Sequence, residues 1–493
     1  MRPLLEHTIT VEEISRLIGI TIDLDPALTF SGATSVDGSV QAGDLFLAYP
    51  GEKTHGAQFA ANAIALGARA ILTDAQGATF AKDLPVIIVP NARTAGAVIS
   101  ANLYGKPMQE MVSIGVTGTN GKTTVSTLLY QLFQEAGRDS GLIGTVETRI
   151  GRDRVTSART TPEADALQAV AATMSERHLR HLVMEVSSHA MVMQRMVGAR
   201  FAMVGFTNLS QDHLDFHLDM ESYYRAKASL FTLEYADQAF INIDSEFGLR
   251  LYNECGIPAT SLSRNNPKAS WHFTSITPSS SGTTFTARGV GGVLIESSTP
   301  LHGYFNLDNI LLVLAMAIEC GIDPLDCAAI IPKLHGAPGR MEAVDRGQNF
   351  TALVDYAHTP DAVRNVITTA TEFTSGKVIA LLGCGGDRDS SKRPLMGSAL
   401  MQEAGIAIFT SDNPRSEDPK KILEDMTKHL QISEPSRLII DRREAIAYAV
   451  SICQPGDTLL LLGKGHENGQ EINGAKIDFD DRLVLAEILE EKR

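Results

Sequence analysis

The stretch Gly115-Val116-Thr117-Gly118-Thr119-Asn120-Gly121-Lys122-Thr123-Thr124 follows a short apolar run and precedes a helical pattern of Val125, Leu128, Leu129 and Leu132. A glycine-bearing turn between a strand and a helix predicts a phosphate-binding loop. Glycines let backbone N–H groups turn inward around phosphate oxygens. Lys122 offers a mobile positive charge to the outer phosphates, and Thr123 offers a hydroxyl to Mg²⁺. The helix N-terminus adds partial positive charge. The strict pattern Gly-x-x-x-x-Gly-Lys asks for glycine at position 116, where this chain has Val116; its first glycine comes one residue early. The loop implies a nucleoside triphosphate and leaves the reaction open.

The bulk numbers bound the rest. A chain of 493 residues exceeds one hydrophobic core and predicts about three domains. Hydrophobic residues at 44% and charged residues at 20% are ordinary for a soluble globular protein. The net charge of −15 argues against nucleic-acid or anionic-membrane binding, so a polyanionic nucleotide needs local positive groups. Cys255, Cys320, Cys327, Cys384 and Cys453 are scattered, which predicts reduced thiols rather than a disulfide framework or zinc site. Acidic residues between Met1 and Glu13 do not suit a secretory signal. Ile310 to Ile318 is too short to span a bilayer. A cytoplasmic location is expected.

The expected fold class is α/β in three domains. Residues 1–110 read as a smaller N-terminal α/β domain, with Gly43-Asp44-Leu45-Phe46-Leu47-Ala48 as a turn into a strand. Phe59 to Leu66 has helical periodicity, and Tyr104-Gly105-Lys106-Pro107 reads as a linker. Residues 111–336 read as a central domain with a P-loop ATPase-like parallel sheet. Within it, 263–300 reads as an antiparallel excursion or loop. Residues 337–493 repeat the strand–loop–helix logic through Thr351–Tyr356, Val378–Gly383 and Thr458–Gly463, which predicts a Rossmann-like C-terminal domain. In such sheets ligands gather at the carboxyl ends of strands.

Several strand-end residues could carry chemistry. Glu185 in Glu185-Val186-Ser187-Ser188-His189 can hold Mg²⁺, and the hydroxyls can grip a substrate oxygen. His213, in Asp212-His213-Leu214-Asp215, could be a second metal ligand. Ser187 lacks the Gly-x-Ser-x-Gly elbow of a serine hydrolase. Spacing alone makes Lys227 a surface lysine of a helix. Arg388 in Gly385-Gly386-Asp387-Arg388-Asp389 and Arg415 in Asp412-Asn413-Pro414-Arg415 suit a carboxylate clamp, or else solvated loops.

Taken in order, the motifs resemble the Mur ligase family, specifically its MurE type. They include Gly-Thr-Asn-Gly-Lys-Thr-Thr, Thr160-Thr161-Pro162, Glu-Val-Ser-Ser-His, Asp-His-Leu-Asp and Ala-Lys-x-x-Leu-Phe. Gly303-Tyr304-Phe305-Asn306, Gly339-Arg340-Met341-Glu342, Asp355-Tyr356-Ala357-His358 and the Gly-Gly-Asp-Arg-Asp loop follow, so the likeness runs from about Gly43 to Arg482.

The resemblance implies a three-domain enzyme of cell-wall synthesis that holds a UDP-linked acceptor, ATP and an amino acid. It implies phosphorylation of the D-Glu carboxylate of UDP-N-acetylmuramoyl-L-alanyl-D-glutamate, then attack by an amine. It implies Gly118 to Thr124, Asn306, Asn309, Arg340 and Asp355 at ATP. Thr123, Glu185, His213 and a carbamylated Lys227 are implied at Mg²⁺. Thr160, Thr161, Ser187, Arg195 and Lys227 are implied at the muramoyl-dipeptide. Arg388, Asp412, Asn413, Pro414, Arg415, Gly463 and Glu467 are implied at meso-diaminopimelate, whose far carboxylate the arginine pair would hold and whose ammonium Glu467 would take. Lysine as substrate is the alternative, and would leave the arginine unpaired. A folylpolyglutamate synthase-like ligase is the other. The expected protein is a monomer acting on small molecules. Two departures stand out: Val36-Asp37-Gly38 replaces the usual Asp-Ser-Arg, and Met193 stands where glutamine is common, with Gln194 displaced by one.

Overall fold

The computed structural model describes residues 2–51, 54–155, 157, 159–279 and 282–492, apart from the Asp215 side chain. The chain forms two compact units. One comprises Met1–Phe273, Arg288–Leu294 and Asp308–Cys327; the other comprises Thr274–Ala287, Ile295–Leu307 and Ala328–Arg493.

The first unit contains two parallel sheets. The smaller has strands Gly32–Thr34, Asp44–Leu47, Ala70–Thr73 and Val86–Ile88 in sequence order. Gly43, at φ 96°, makes the turn into the second strand. The helical signal at Phe59 resolves into a 3-10 turn, Gly56–Phe59, and a helix, Ala60–Ala65. Helix Ala92–Leu103 buries Ala95, Ile99 and Leu103, the spacing of one helical face.

The larger sheet orders Ser140–Ile143, His181–Glu185, Val112–Thr117, Phe201–Phe206, Ala236–Asn242 and Ala259–Ser263, all parallel. A hairpin, Thr148–Ile150 with Asp153–Val155, adds an antiparallel edge. Ile114, Val116, Leu182, Val183, Met184 and Phe206 are buried, as expected for parallel strands covered on both faces. Val116 is a fully buried strand residue in register with Glu185 and Gly205. The strand therefore runs two residues past Gly115, to Thr117, and the loop's tight turn is made by Gly118 and Gly121. Chain order reverses at this central strand, which opens a crevice beyond its carboxyl end.

The second unit carries a six-stranded sheet: Glu342–Ala343, Thr351–Asp355, Thr458–Leu462, Val378–Leu382, Ile406–Phe409 and Arg437–Leu438, antiparallel only at the first pair. Alternate residues feed two cores. Leu353, Leu382, Leu460 and Leu462 pack with Val363, Ile367 and Met396. Val354, Ile379, Leu381, Leu459 and Leu461 pack with Ile446, Val450 and Leu485. That is a doubly wound layer structure. The segment 263–300 is largely strand, with Trp271–Ser279, Gly282–Arg288 and Leu294–Thr299. Its joint to the larger sheet of the first unit is parallel: Leu262 and Ser263 pair with Trp271 and His272.

Candidate functional site

The phosphate loop is built by its glycines. Gly118 and Gly121 have φ of 149° and 87°, where L side chains are strained. A Cβ on Gly118 would lie 1.9 Å from Thr207 Oγ1, and one on Gly121 would lie 2.4 Å from Asn309 Oδ1. The neighbouring strand end stitches the loop in place. Thr119 N donates to Asn208 O at 2.9 Å, Asn120 N donates to Asn208 Oδ1 at 3.0 Å, and Thr207 Oγ1 donates to Asn120 O at 2.6 Å. Lys122 Nζ donates to Gly118 O and Thr119 O, both at 2.9 Å, and Lys227 Nζ donates to Gly118 O at 2.7 Å.

Lys227 is not a surface lysine. It is 2% exposed, on the inner face of helix Met220–Ala228, with Nζ 4.6 Å from the Tyr223 ring centroid. Burial, followed by repulsion from Lys122, pulls its ammonium well below the usual lysine range. Tyr223 OH meets Thr119 Oγ1 at 3.1 Å, so one buried phenol spans the lysine and the loop. The spacing that suggested a solvated residue marks a helix face but cannot say which face is inward.

Thr123 and Glu185 meet at the loop. Thr123 Oγ1 donates to Glu185 Oε2 at 3.0 Å, and Thr145 adds its N–H at 2.7 Å and its hydroxyl at 3.0 Å. A fully buried carboxylate beside a hydroxyl suits a hard divalent cation. Among the described residues no group of three or more His, Cys, Asp or Glu could hold a metal ion. This pair fits part of a Mg²⁺ shell, the rest falling to phosphate oxygens and water. His213 is half exposed at φ 53°, 3.4 Å from Asp212 and edge-on to His189.

Thr160, Thr161, Ser187 and Arg195 are drawn together beside that pair. Thr160 Oγ1 lies 3.1 Å from Thr145 Oγ1, whose own proton goes to Glu185; Thr161 Oγ1 donates to Glu185 O at 2.9 Å and accepts from Ser187 N at 3.1 Å; Arg195 Nη1 donates to Thr161 O at 3.2 Å. Gln194, displaced by one from the family position, accepts from Asn91 and Thr94. At Val36-Asp37-Gly38 the chain forms a 3-10 turn in which Asp37 accepts from Asn62, while Ser35 is engaged by the buried Asp165. Asn309 lies against Gly121 in the first unit; Asn306, in the second, donates to His302 O at 2.8 Å.

In the second unit Asp355 Oδ2 accepts from Met341 N at 2.8 Å and Oδ1 from Ala357 N at 2.7 Å; burial raises its carboxyl against the pull of Arg340. The Arg340 guanidinium lies 4.9 Å over the Tyr356 ring. The strand-end loops gather Asp412, Asn413, Gly463 and Glu467 around Lys464, a fully buried residue that sequence reasoning missed. Lys464 Nζ is 3.6 Å from Asp412 Oδ1, 3.3 Å from Glu467 Oε2 and 2.7 Å from Gly469 O. Asn413 Nδ2 donates to Glu467 Oε2 at 2.7 Å. Glu467 therefore already carries an ammonium, and the cluster keeps one net negative charge. The signal was present in Gly463-Lys464-Gly465-His466-Glu467, a glycine-flanked lysine directly after an apolar strand. Arg415 has φ 51°, and its Nη1 donates to Gly386 O at 2.7 Å while Nε lies 3.3 Å from Glu471. Pro414, beside Arg415, is buried, and Arg388, in the Gly385–Asp389 loop, is exposed.

Family models match along most of this chain: the Mur ligase family catalytic domain at 34–111, the Mur ligase middle domain at 116–317, and the Mur ligase glutamate ligase domain at 339–465. A Streptomyces coelicolor protein named UDP-N-acetylmuramoyl-L-alanyl-D-glutamate--2,6-diaminopimelate ligase is 42% identical over 99% of this chain and 98% of its own. A solved structure of a ligase of that name is 32% identical at a TM-score of 0.71, covering 98% and 99% of the two chains. A Mycobacterium tuberculosis folylpolyglutamate synthase solved with ADP is 18% identical at a TM-score of 0.60, covering 74% of this chain and 91% of its own, and shares the fold alone. With three consecutive family models and a relative of this identity along nearly its whole length, the chain belongs to the Mur ligase family.

Proposed function

We propose that this chain is an ATP-dependent ligase that joins meso-diaminopimelate to the D-Glu carboxylate of UDP-N-acetylmuramoyl-L-alanyl-D-glutamate in peptidoglycan synthesis. The observation that carries the reading is the contact of Thr123 with the buried Glu185 at a phosphate loop, within a family of ATP-dependent ligases. A carboxylate is a poor acyl donor because its oxide will not leave. A carboxylate oxygen bonds to the γ-phosphorus as the bridging P–O bond to ADP breaks. The amine then bonds to the acyl carbon, loses a proton, and displaces inorganic phosphate.

In this reading Gly118 to Thr124, Asn306, Asn309, Arg340 and Asp355 bind ATP. Lys122 and the loop amides offset charge that builds as phosphates meet a carboxylate. Thr123 and Glu185 would hold one Mg²⁺ and His213 would help hold another, with Lys227 as a further metal ligand; the cations would supply Lewis-acid charge at the phosphates. Lys227 serves there as a carbamate: an ammonium would repel the cation, whereas a neutral amine, by forming an N–C bond to CO₂ as a C=O π bond opens and releasing one proton to solvent, becomes an anion. Thr160, Thr161, Ser187 and Arg195 hold the muramoyl-dipeptide. The Asp412–Lys464–Glu467 cluster with Asn413, Pro414 and Gly463 holds the amino acid's ammonium end, and Arg388 and Arg415 its far carboxylate. The working divisions are 1–110, 111–336 and 337–493. The protein acts as a cytoplasmic monomer; among the described residues no helix is long and apolar enough to cross a membrane.

The test is phosphate release by the purified protein with ATP, Mg²⁺, the UDP-muramoyl-dipeptide and one amino acid at a time. Turnover is expected only with acceptor and amine together, and with diaminopimelate ahead of lysine. Arg415→Ala is expected to erode that preference by about tenfold or more, because it removes a charged partner worth a few kcal/mol. Unchanged preference would refute the assignment of Arg415, and no ATP use with any amine would refute the ligase.

A further inference from the structure

Helix Ala92–Leu103 begins against the acceptor-facing residues of its own unit. Asn91 Nδ2 and Thr94 Oγ1 both donate to Gln194 Oε1, at 2.8 and 3.0 Å. Gln194 sits at φ 57°, a strained conformation for a residue with a side chain, and it immediately precedes Arg195. Between them Arg93 reaches Glu163: Nη1 donates to Oε2 at 3.0 Å, Nη2 donates to Pro50 O at 3.3 Å, and the guanidinium lies 5.0 Å from the Tyr49 ring centroid. The other oxygen of Glu163 forms ion pairs with Arg195, whose Nε lies 3.0 Å away without hydrogen-bond geometry, and with Arg159. Arg195 in turn donates through Nη1 to Thr161 O. One carboxylate thus faces three guanidiniums and neutralises one of them. The chain is acidic as a whole, so this residual positive charge is local and placed. Burial, with Arg159 and Arg93 nearby, depresses the proton affinity of Arg195 against the pull of Glu163.

We infer that Arg93 is a positioning residue, which acts through Glu163 to aim the Arg195 guanidinium at an acceptor carboxylate. This rests on the reading of Arg195 given above. The acceptor ends in a D-glutamate with two carboxylates, only one of which is activated, so the other needs a cationic partner. Glu163 holds Arg93 and Arg195 on different oxygens and so transmits the position of the helix start to the guanidinium. The pinned Gln194 turn fixes the same residue from its backbone side. Arg93 touches neither the phosphate loop nor Glu185, so its effect belongs to the acceptor and not to ATP.

The experiment is steady-state ligation by the full chain carrying Arg93→Met, which keeps the apolar stem over Tyr49. KM for the acceptor is expected to rise about tenfold while KM for ATP and kcat move within about twofold. Arg93→Lys, retaining charge without the fork, should lie between. In an Arg195→Ala background, Arg93→Met should change the acceptor KM by less than about twofold, because groups that act as a unit are not additive. Glu163→Gln, nearly isosteric, repeats the test should Arg93→Met not fold. Equal multiplication in both backgrounds, or a fall in kcat together with a rise in KM for ATP, overturns the inference while wild-type turnover leaves the ligase reading standing. A wild-type chain that does not ligate at all takes both down.

Discussion

Lys227 and Lys122 both point their ammonium groups at the carbonyl of Gly118. Lys122 opens helix Lys122–Glu135 at the end of the phosphate loop. Lys227, fully buried and over Tyr223, cannot leave for solvent, and burial biases it toward the neutral amine. A neutral amine in a closed site is the nucleophile that CO₂ requires. Stripping CO₂ and bicarbonate from the buffer should lower ligation severalfold, and added bicarbonate should restore it. Labelled ¹³C-bicarbonate should give a carbamate resonance in the wild type that Lys227→Met lacks, and Lys227→Met should lose about 100-fold or more in kcat, as for a lost metal ligand. Activity indifferent to CO₂, with no carbamate resonance, would leave Lys227 as an ordinary buried amine.

Among the elements, helix Tyr304–Glu319 is the most apolar: Leu307, Ile310, Leu311, Leu312, Val313, Leu314 and Met316 are all buried. Its hydrophobicity all round marks a core helix, which is where the longest apolar run of the sequence goes. One carboxyl interrupts it. Asp308 Oδ1 has no hydrogen-bond partner among the described residues, and Oδ2 is 3.6 Å from Arg264. Burial raises this carboxyl to about 7, with Arg264 pulling down and Asp244 pushing up. The folded-state value lies above the unfolded one, so the folded state binds the proton more tightly. Its contribution to stability is therefore complete below about pH 4 and is lost as pH rises through 7. Asp308→Asn should accordingly match the parent near pH 4 and exceed it above pH 7. Three units would set a ceiling of about 4 kcal/mol. The side chain is a quarter exposed and Arg264 loses its partner, so about 1–2 kcal/mol is expected. Urea midpoints of parent and variant compared at pH 4.5 and 8 read this directly. A gap that shrinks with rising pH would show that Arg264, not desolvation, governs the group.

At the scale of the whole molecule, what was legible follows from locality. The phosphate loop, the apolar strands before each functional turn and the glycine at 43 are local patterns, so period and turn chemistry were enough to read them. The inward face of Lys227, the burial of Lys464 and the grip of Arg93 on Glu163 depend on which strands and helices become neighbours, which no window of sequence contains. The same holds for charge. The chain carries −15 overall, yet its proposed ligands are polyanions, and the positive groups proposed to serve them, Lys122 and Arg195, with Arg93 behind Glu163, lie in closely packed sites. The long-range field repels nucleotide while contacts at hydrogen-bond range attract it. Salt separates the two. The screening length is about 10 Å at 0.1 M, so moderate salt removes the distant repulsion and weakens partly buried contacts much less. Raising KCl from about 20 to 200 mM should therefore leave kcat/KM for ATP and for the acceptor level or slightly higher, whereas a protein that gathers anions on a basic surface loses rate steeply. Progress curves at limiting substrate across that range decide it. A fall of about tenfold would mean that a positive surface field draws these substrates in, and that the acidic balance of the chain sits away from their path.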